Sequence, residues 1–166
     1  MNWTNLLTSE LEATYNATEG LIRLVDEDKL DWKPPTGENW MTLGQLLQHL
    51  PTACGFCCRG FLTGEWDIPE GEMLPSAEKM PSAKSTAEVM KALDEDKQAA
   101  LAMVAEAGEE NLANRKVPAP WDPTPKTLGE QFLMSIQHLD KHKGQLFYYL
   151  KLQGKPVHTG HLWGMA

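Results

Sequence analysis

Cysteine, long apolar runs and excess positive charge are all scarce in this chain of 166 residues. Its three cysteines are too few for the disulfide framework of a small secreted domain. No apolar run approaches the roughly 18 residues of a membrane-spanning helix. Lys and Arg number 15 against 23 Asp and Glu, a formal charge of −8, which disfavours nucleic acid or an anionic membrane as a partner.

The length of the chain and its first ten residues predict the number of domains and the location of the protein. A chain of 166 residues is about one domain's worth, so we expect a single domain over residues 1–166. Residues 1–10 lack the basic and apolar stretches of a secretory signal. We therefore expect a soluble cytoplasmic protein.

Apolar side chains recur at helical spacing in four segments. The predicted helices span about residues 2–29, 42–62, 85–111 and 127–153. Pro51 falls inside the second, where we expect a kink because proline removes one helical hydrogen bond. Strand patterns are weak throughout. The pattern predicts an all-α fold, a four-helix bundle.

Two proline-rich connections separate the last three predicted helices. Residues 64–84 carry three prolines, and residues 115–126 carry four. Roughly twenty extended residues can span over 60 Å, whereas a helix of about 20 residues is about 30 Å long. The first connection can therefore run the full length of a bundle and start the next helix at the opposite end.

Two polar stripes with helical period carry three of the five histidines. The stripe on the fourth predicted helix reads Gln131, Ser135, His138, His142, Gln145 and Tyr149. The stripe on the second reads Thr42, Gln45, His49, Thr52 and Phe56. His49 lies 7 residues after Thr42, and His138 and His142 lie 11 and 15 after Thr127. These offsets are about two, three and four helical turns, so the three imidazoles can meet if the helices face each other.

Three imidazoles with one open position are typical of a catalytic zinc site rather than a closed structural one. We expect a divalent ion, zinc or nickel first, although copper, cobalt and iron(II) also accept such ligands. No Glu follows His138 directly, which excludes a zincin-type protease helix. Solvated or hydrogen-bonded histidines are the simpler interpretation of the His138/His142 pair.

At this point the chain resembles the DinB/YfiT-like four-helix proteins over essentially its whole length. The resemblance is carried by Trp40–Leu50, a tryptophan-led helix start ending in a histidine. It is also carried by His138–Leu146, which reads H-x-x-x-H-x-G-Q-L. Asp31–Pro34 and Lys155–Val157 match as well.

The resemblance implies an up-down-down-up bundle with a long crossover between helices two and three. It implies a divalent metal held by His49, His138 and His142, and a homodimer. Characterised members are thiol-dependent transferases, isomerases or hydrolases that use low-molecular-weight thiols. Many members have no known activity.

Five further residues are candidates for binding a cofactor or substrate. Gln45 and Gln145 lie one turn from the ligands and can hydrogen-bond to them or to bound water, or simply inside the bundle. Trp40 and Trp121 precede the ligand-bearing helices and can wall a pocket, although tryptophan is also ordinary core material. Tyr149 continues the stripe of the fourth helix.

Other reactive side chains have simpler interpretations. Cys54, Cys57 and Cys58 form a C-x-x-C-C motif that we interpret as buried free thiols, with a redox or metal site as the alternative. His158 and His161 lie in the tail and are expected to be solvated or to pack there. Lys141 and Lys143 are expected to point off the stripe.

Two functions remain open on the sequence alone. The first is a metal-dependent enzyme, a thiol S-transferase or hydrolase acting on a small molecule. The second is a non-catalytic bundle, binding small molecules or associated with stress, whose metal is structural or absent. A dimeric interaction module is a third reading.

Overall fold

In the computed structural model, which describes residues 2–66 and 76–166, most residues are helical. The helices are α1 (Trp3–Ile22), α2 (Leu43–His49), α3 (Gly55–Thr63), α4 (Thr86–Asn114), α5 (Leu128–Leu152) and α6 (Thr159–Leu162). Strands β1 (Lys116–Ala119) and β2 (Asp122–Thr127) lie between α4 and α5. Short 3₁₀ turns occur at Glu27–Lys29, Leu50–Thr52 and Ala77–Lys79.

Five of the described helices enclose the core. Helices α4 and α5 each pack against both α1 and α3, and α2 packs against α5. The largest side chains with under 2% exposure come from α1, α2, α4 and α5, and from the turn after α2: Tyr15, Tyr149, Phe132, Leu7, Leu11, Leu21, Ile22, Leu43, Leu46, Leu47, Leu50 and Leu112. Among the described residues no helix is both long and apolar enough to cross a membrane.

The second predicted helix is divided in two rather than kinked. Helix α2 ends at His49, a 3₁₀ turn carries Pro51, and α3 begins at Gly55 after Cys54 leaves helical geometry (φ −125°, ψ −67°). Pro51 has no N–H to donate to the preceding turn, so the helix stops there. At Gly55 a Cβ would lie 2.4 Å from the Asp96 backbone oxygen, which lets α3 start in close contact with α4.

The second proline-rich connection is a β-hairpin, so an all-α fold is wrong for this segment. Strand β1 pairs antiparallel with β2, Lys116 opposite Thr127 and Val117 opposite Lys126. The register then shifts before Ala119 meets Asp122. Within the described part of the chain each strand pairs only with the other, and an edge strand accepts proline where its N–H would face solvent.

Other helix ends differ from the prediction by a few residues. Helix α1 ends at Ile22, and Glu27–Lys29 form a separate 3₁₀ turn. Helix α4 begins as predicted, with the Ser85 hydroxyl accepting from Glu88 N at 3.2 Å, but runs on to Asn114 through non-helical Gly108 (φ 68°). Of the predicted connection 64–84, residues 67–75 lie outside the described residues. The up-down-down-up order stays a prediction.

Candidate metal centre

Two capping boxes fix where the histidine-bearing helices begin. At α2, Thr42 Oγ1 accepts from Gln45 N at 3.1 Å and Gln45 Oε1 accepts from Thr42 N at 2.8 Å. At α5, Thr127 and Glu130 make the same reciprocal pair, at 3.3 and 2.7 Å. Each box satisfies helix-terminal N–H groups. The caps therefore set the rotation at which His49, and His138 with His142, leave their helices.

The three predicted histidines meet. His138 Nε2 lies 3.3 Å from His49 Nε2 and 3.0 Å from His142 Nε2. One ligand atom from each residue lies within 4.8 Å of the others. Four-coordinate zinc with Zn–N bonds of about 2.0–2.1 Å places its nitrogen ligands about 3.3 Å apart. The cluster can therefore hold a divalent ion.

Hydrogen bonds at the opposite ring nitrogens orient the imidazoles. His138 Nδ1 lies 3.0 Å from the Ala53 carbonyl oxygen, which can only accept, so we assign the proton to Nδ1. His142 Nδ1 lies 3.1 Å from Gln145 Oε1. His49 Nδ1 lies 3.4 Å from the Thr52 hydroxyl, which itself donates to the His49 carbonyl at 2.9 Å.

The arrangement of the three Nε2 atoms fits a bound cation. If each Nδ1 carries the proton, the three Nε2 lone pairs face one another. Lone pairs at 3.0–3.3 Å repel unless a cation lies between them. Partners at the outer nitrogen also fix the tautomer of metal-binding histidines. The donor set therefore suits a borderline ion that accepts imidazole nitrogen.

Burial favours the neutral form of the three imidazoles, because it lowers the pKa of each. Burial lowers the pKa of His49 to about 4, with further lowering by His142 and His138. Burial is also the largest cause of the lowered pKa of His138 and of His142. A neutral imidazole is the form that binds metal.

A buried carboxylate holds the turn that meets His138. Asp96 of α4 accepts from Gly55 N at 2.9 Å and Phe56 N at 3.0 Å, which caps the N-terminus of α3. Its Oδ2 also accepts from the Tyr15 hydroxyl at 2.5 Å. Burial raises the pKa of Asp96, and these donors oppose that rise. The same turn presents the Ala53 carbonyl to His138.

A largely apolar groove of about 760 Å³ opens beside the cluster. This volume is typical of small-molecule sites. Both polar stripes contribute to it, together with residues from α3, Trp66 and the hairpin. Its lining residues are His49, Thr52, Phe56, Cys57, Phe61, Trp66, Trp121, Gln131, Met134, Ser135, His138 and Lys141.

The five other predicted binding residues divide into two groups. Trp121 is 49% exposed and lines the groove. Gln145 and Tyr149 instead support His142, because Gln145 Nε2 donates to the Tyr149 hydroxyl at 3.4 Å, which donates to the Met41 carbonyl at 2.8 Å. None of Gln145, Tyr149, Trp40 and Gln45 is among the described residues that line the groove.

Trp40 and Gln45 are engaged elsewhere. Trp40 Nε1 donates to the Thr36 carbonyl, and its ring lies 6.1 Å from that of Tyr149. The Gln45 amide donates to the Ala77 and Met80 carbonyls at 2.7 and 2.9 Å. Gln45 thereby ties the start of α2 to the segment before α4.

The cysteines, Lys143 and the tail histidines agree with the sequence predictions only in part. Cys54, Cys57 and Cys58 are buried free thiols, as predicted, although Cys57 reaches the groove. Lys143 is 7% exposed and donates to the Leu162 carbonyl while pairing with Asp140, both at 2.7 Å. His158 and His161 cap α6.

Several groove residues were missed from the sequence. Lys141 borders the groove, although it was expected to point away. Met134, His138 and Lys141 recur at steps of 4 and 3 residues, which is helical spacing and a usable signal. Phe61 and Trp66 carried no local signal, because only the packing of α3 against Trp66 brings them to the groove.

The fold and the cluster together define a helical protein with a three-histidine site able to hold a metal ion. The DinB superfamily model matches residues 10–146. The chain belongs to the DinB superfamily.

Two solved structures share this fold. A DinB-like protein of Bacillus subtilis, YjoA, is 19% identical with a TM-score of 0.67, over 92% of this chain and 94% of that one. A protein described as a DinB family member, from Exiguobacterium sibiricum, is 19% identical with a TM-score of 0.66, over 97% and 98%. No curated protein matches the chain.

Proposed function

We propose that this protein is a metal-dependent enzyme that transfers a low-molecular-weight thiol to a small electrophile. The observation that carries the proposal is the convergence of three Nε2 atoms, 3.0–3.3 Å apart between neighbours, at the edge of a groove of about 760 Å³. Zinc and nickel are the ions we propose, because imidazole suits both. We also propose a homodimer, as the family resemblance implies.

The residues around the cluster support thiol chemistry. His49, His138 and His142 would hold a divalent ion, which would supply an open position for a thiol sulfur and stabilise the thiolate. None of the described groove-lining residues is a carboxylate, so the groove offers no general base of that class. A thiol that is already ionised needs no such base. Phe61 and Trp66 supply apolar lining beside the cluster, which would limit the access of water to a bound substrate.

Metal binding is the first test. Untagged protein is titrated with Zn²⁺ and Ni²⁺ after chelator treatment, and we expect one ion per chain at the cluster. His138→Ala removes a ligand, whereas His158→Ala, in the tail, is the matched control. Uptake below about 0.2 ion per chain in the unaltered protein would overturn the proposal.

Thiol transfer is the second test. Metal-loaded protein is assayed with bacillithiol, mycothiol or glutathione and 1-chloro-2,4-dinitrobenzene, where a sulfur–carbon bond forms and chloride and a proton leave. We expect turnover with at least one thiol and its loss in His138→Ala. If the ion binds but no thiol reacts and thiols do not raise the melting temperature, the bundle is a non-catalytic binding protein.

A further inference from the structure

Lys141 lines the groove, and its ammonium has no counter-ion among the described residues. Some other lysines are paired, such as Lys126 with Asp122 at 2.9 Å and Lys155 with Asp26 at 2.6 Å. Over residues 2–66 and 76–166, Lys141 makes no ion pair. A free ammonium beside a small-molecule groove is available to an anionic ligand.

The charge around the groove favours an anion locally, although the chain as a whole carries −8. Among the described lining residues Lys141 is the one Lys or Arg, and none is Asp or Glu. The Lys141 charge also reaches the cluster, where it contributes to the lowered pKa of His138 and His142. A negatively charged ligand group at this end of the groove would therefore meet the Lys141 ammonium and no carboxylate among the described lining residues.

Part of the groove lining is aromatic. The Trp66 ring lies 4.9 Å from Phe61, 5.5 Å from Trp121 and 6.2 Å from Phe56 in edge-to-face contacts. Trp121 is 49% exposed and Met134 40% exposed, so apolar surface remains uncovered at the mouth. A flat apolar ring suits such a wall, because it can make the same stacked or edge contacts.

We propose that the groove binds flat aromatic anions, with the ring against Trp66 and Trp121 and the carboxylate on the Lys141 ammonium. This inference deepens the proposed function, because it names the class of the electrophilic co-substrate. Its catalytic meaning rests on that proposed function. The body of the ligand is apolar and planar, and its acidic group lies toward the histidine cluster. Lys141 is in this view a specificity-determining binding residue.

A matched pair of probes tests the anion. Binding of 2-naphthoate and of naphthalene-2-methanol, its neutral counterpart, is measured by ligand-observed NMR titration on chelator-treated protein. Removing the metal excludes direct carboxylate–metal bonds. We expect 2-naphthoate to bind more tightly by about two- to fivefold, which corresponds to an exposed ion pair.

Four variants assign the contacts. Lys141→Glu should weaken 2-naphthoate by at least about fivefold and leave naphthalene-2-methanol unchanged, whereas Lys141→Arg should retain both affinities. Trp121→Ala should weaken both probes by about tenfold. Lys91→Glu, an exposed lysine of α4 away from the groove, is the control and should change neither. Thermal unfolding of every variant checks the fold.

Three outcomes contradict the proposal. Equal affinity for the two probes, a preference that survives Lys141→Glu, or no binding of either probe at about 1 mM would each overturn the proposal. The proposed function fails separately, through absence of metal uptake or thiol transfer. Anion binding on metal-free protein would stand even then.

Discussion

The His138 imidazole donates from Nδ1 to the Ala53 carbonyl oxygen at 3.0 Å, which joins α5 to the turn that follows α2. The hydrogen bond links two ligands through the backbone, because His49 ends α2 just before that turn. It leaves His138 Nε2 as the nitrogen that faces the other two histidines. The site is thus oriented by the outer nitrogens as much as by the helices that carry it.

Gln145 should control metal affinity without being a ligand. Gln145→Leu removes the acceptor of His142 Nδ1, 3.1 Å away, so we expect metal affinity to fall by about 10–100-fold. Gln145→Glu keeps an acceptor and should retain affinity. Competition with a chromophoric chelator measures both. Equal affinities of the leucine and glutamate variants would contradict this role.

Much of the site could be predicted because its signals are local. Thr42 and Thr127 lie at the predicted helix starts, where they cap α2 and α5, and helical period then places His49, His138 and His142 on facing stripes. The hairpin could not be predicted in the same way, since prolines such as Pro118 and Pro123 are more typical of a loop than of a strand. Trp121 was predicted to wall a pocket and does line the groove, but Phe61 and Trp66 were missed because they reach it only through long-range packing.

The position of Trp66 in the groove should depend on Gly60 having no side chain. A Cβ at this position would lie 2.6 Å from Trp66 Cε3, so Gly60→Ala should displace the indole and cost about 1–3 kcal/mol of unfolding free energy. Gly20→Ala, with nothing within 4 Å, is the control and should stabilise α1 by about 0.5–1 kcal/mol. Denaturant unfolding and tryptophan fluorescence measure these effects. Unchanged fluorescence in Gly60→Ala would count against the contact.

The metal-free protein should lose stability as pH falls from about 6.5 to about 4. Burial lowers the pKa of His49 from 6.5 to about 4 in the folded chain. In that window the unfolded chain binds a proton that the folded chain does not, so the free energy of unfolding decreases with falling pH. The free energy of unfolding is therefore highest above 6.5, the ordinary pKa of histidine.

Denaturant unfolding of chelator-treated protein at several pH values measures this slope. His49→Leu removes one of the titrating groups, so its profile should be flatter over the same window. His138 and His142, whose pKa values are also lowered, supply the remaining slope. A variant profile as steep as that of the unaltered protein would contradict the assignment to His49.

Asp96 should stabilise both the fold and the metal site from inside the bundle. Its carboxylate accepts from Tyr15, Gly55 and Phe56, whereas an amide presents an NH₂ group to at least one of these donors. We therefore expect Asp96→Asn to cost about 1–3 kcal/mol of unfolding free energy. Loosening the turn should also weaken the Ala53–His138 hydrogen bond and lower metal affinity.

Tyr15→Phe, which removes one donor only, should cost less, and exposed Asp94→Asn on the same helix should change neither quantity. An Asp96→Asn protein as stable as Asp94→Asn would show that the buried carboxylate does not hold the turn.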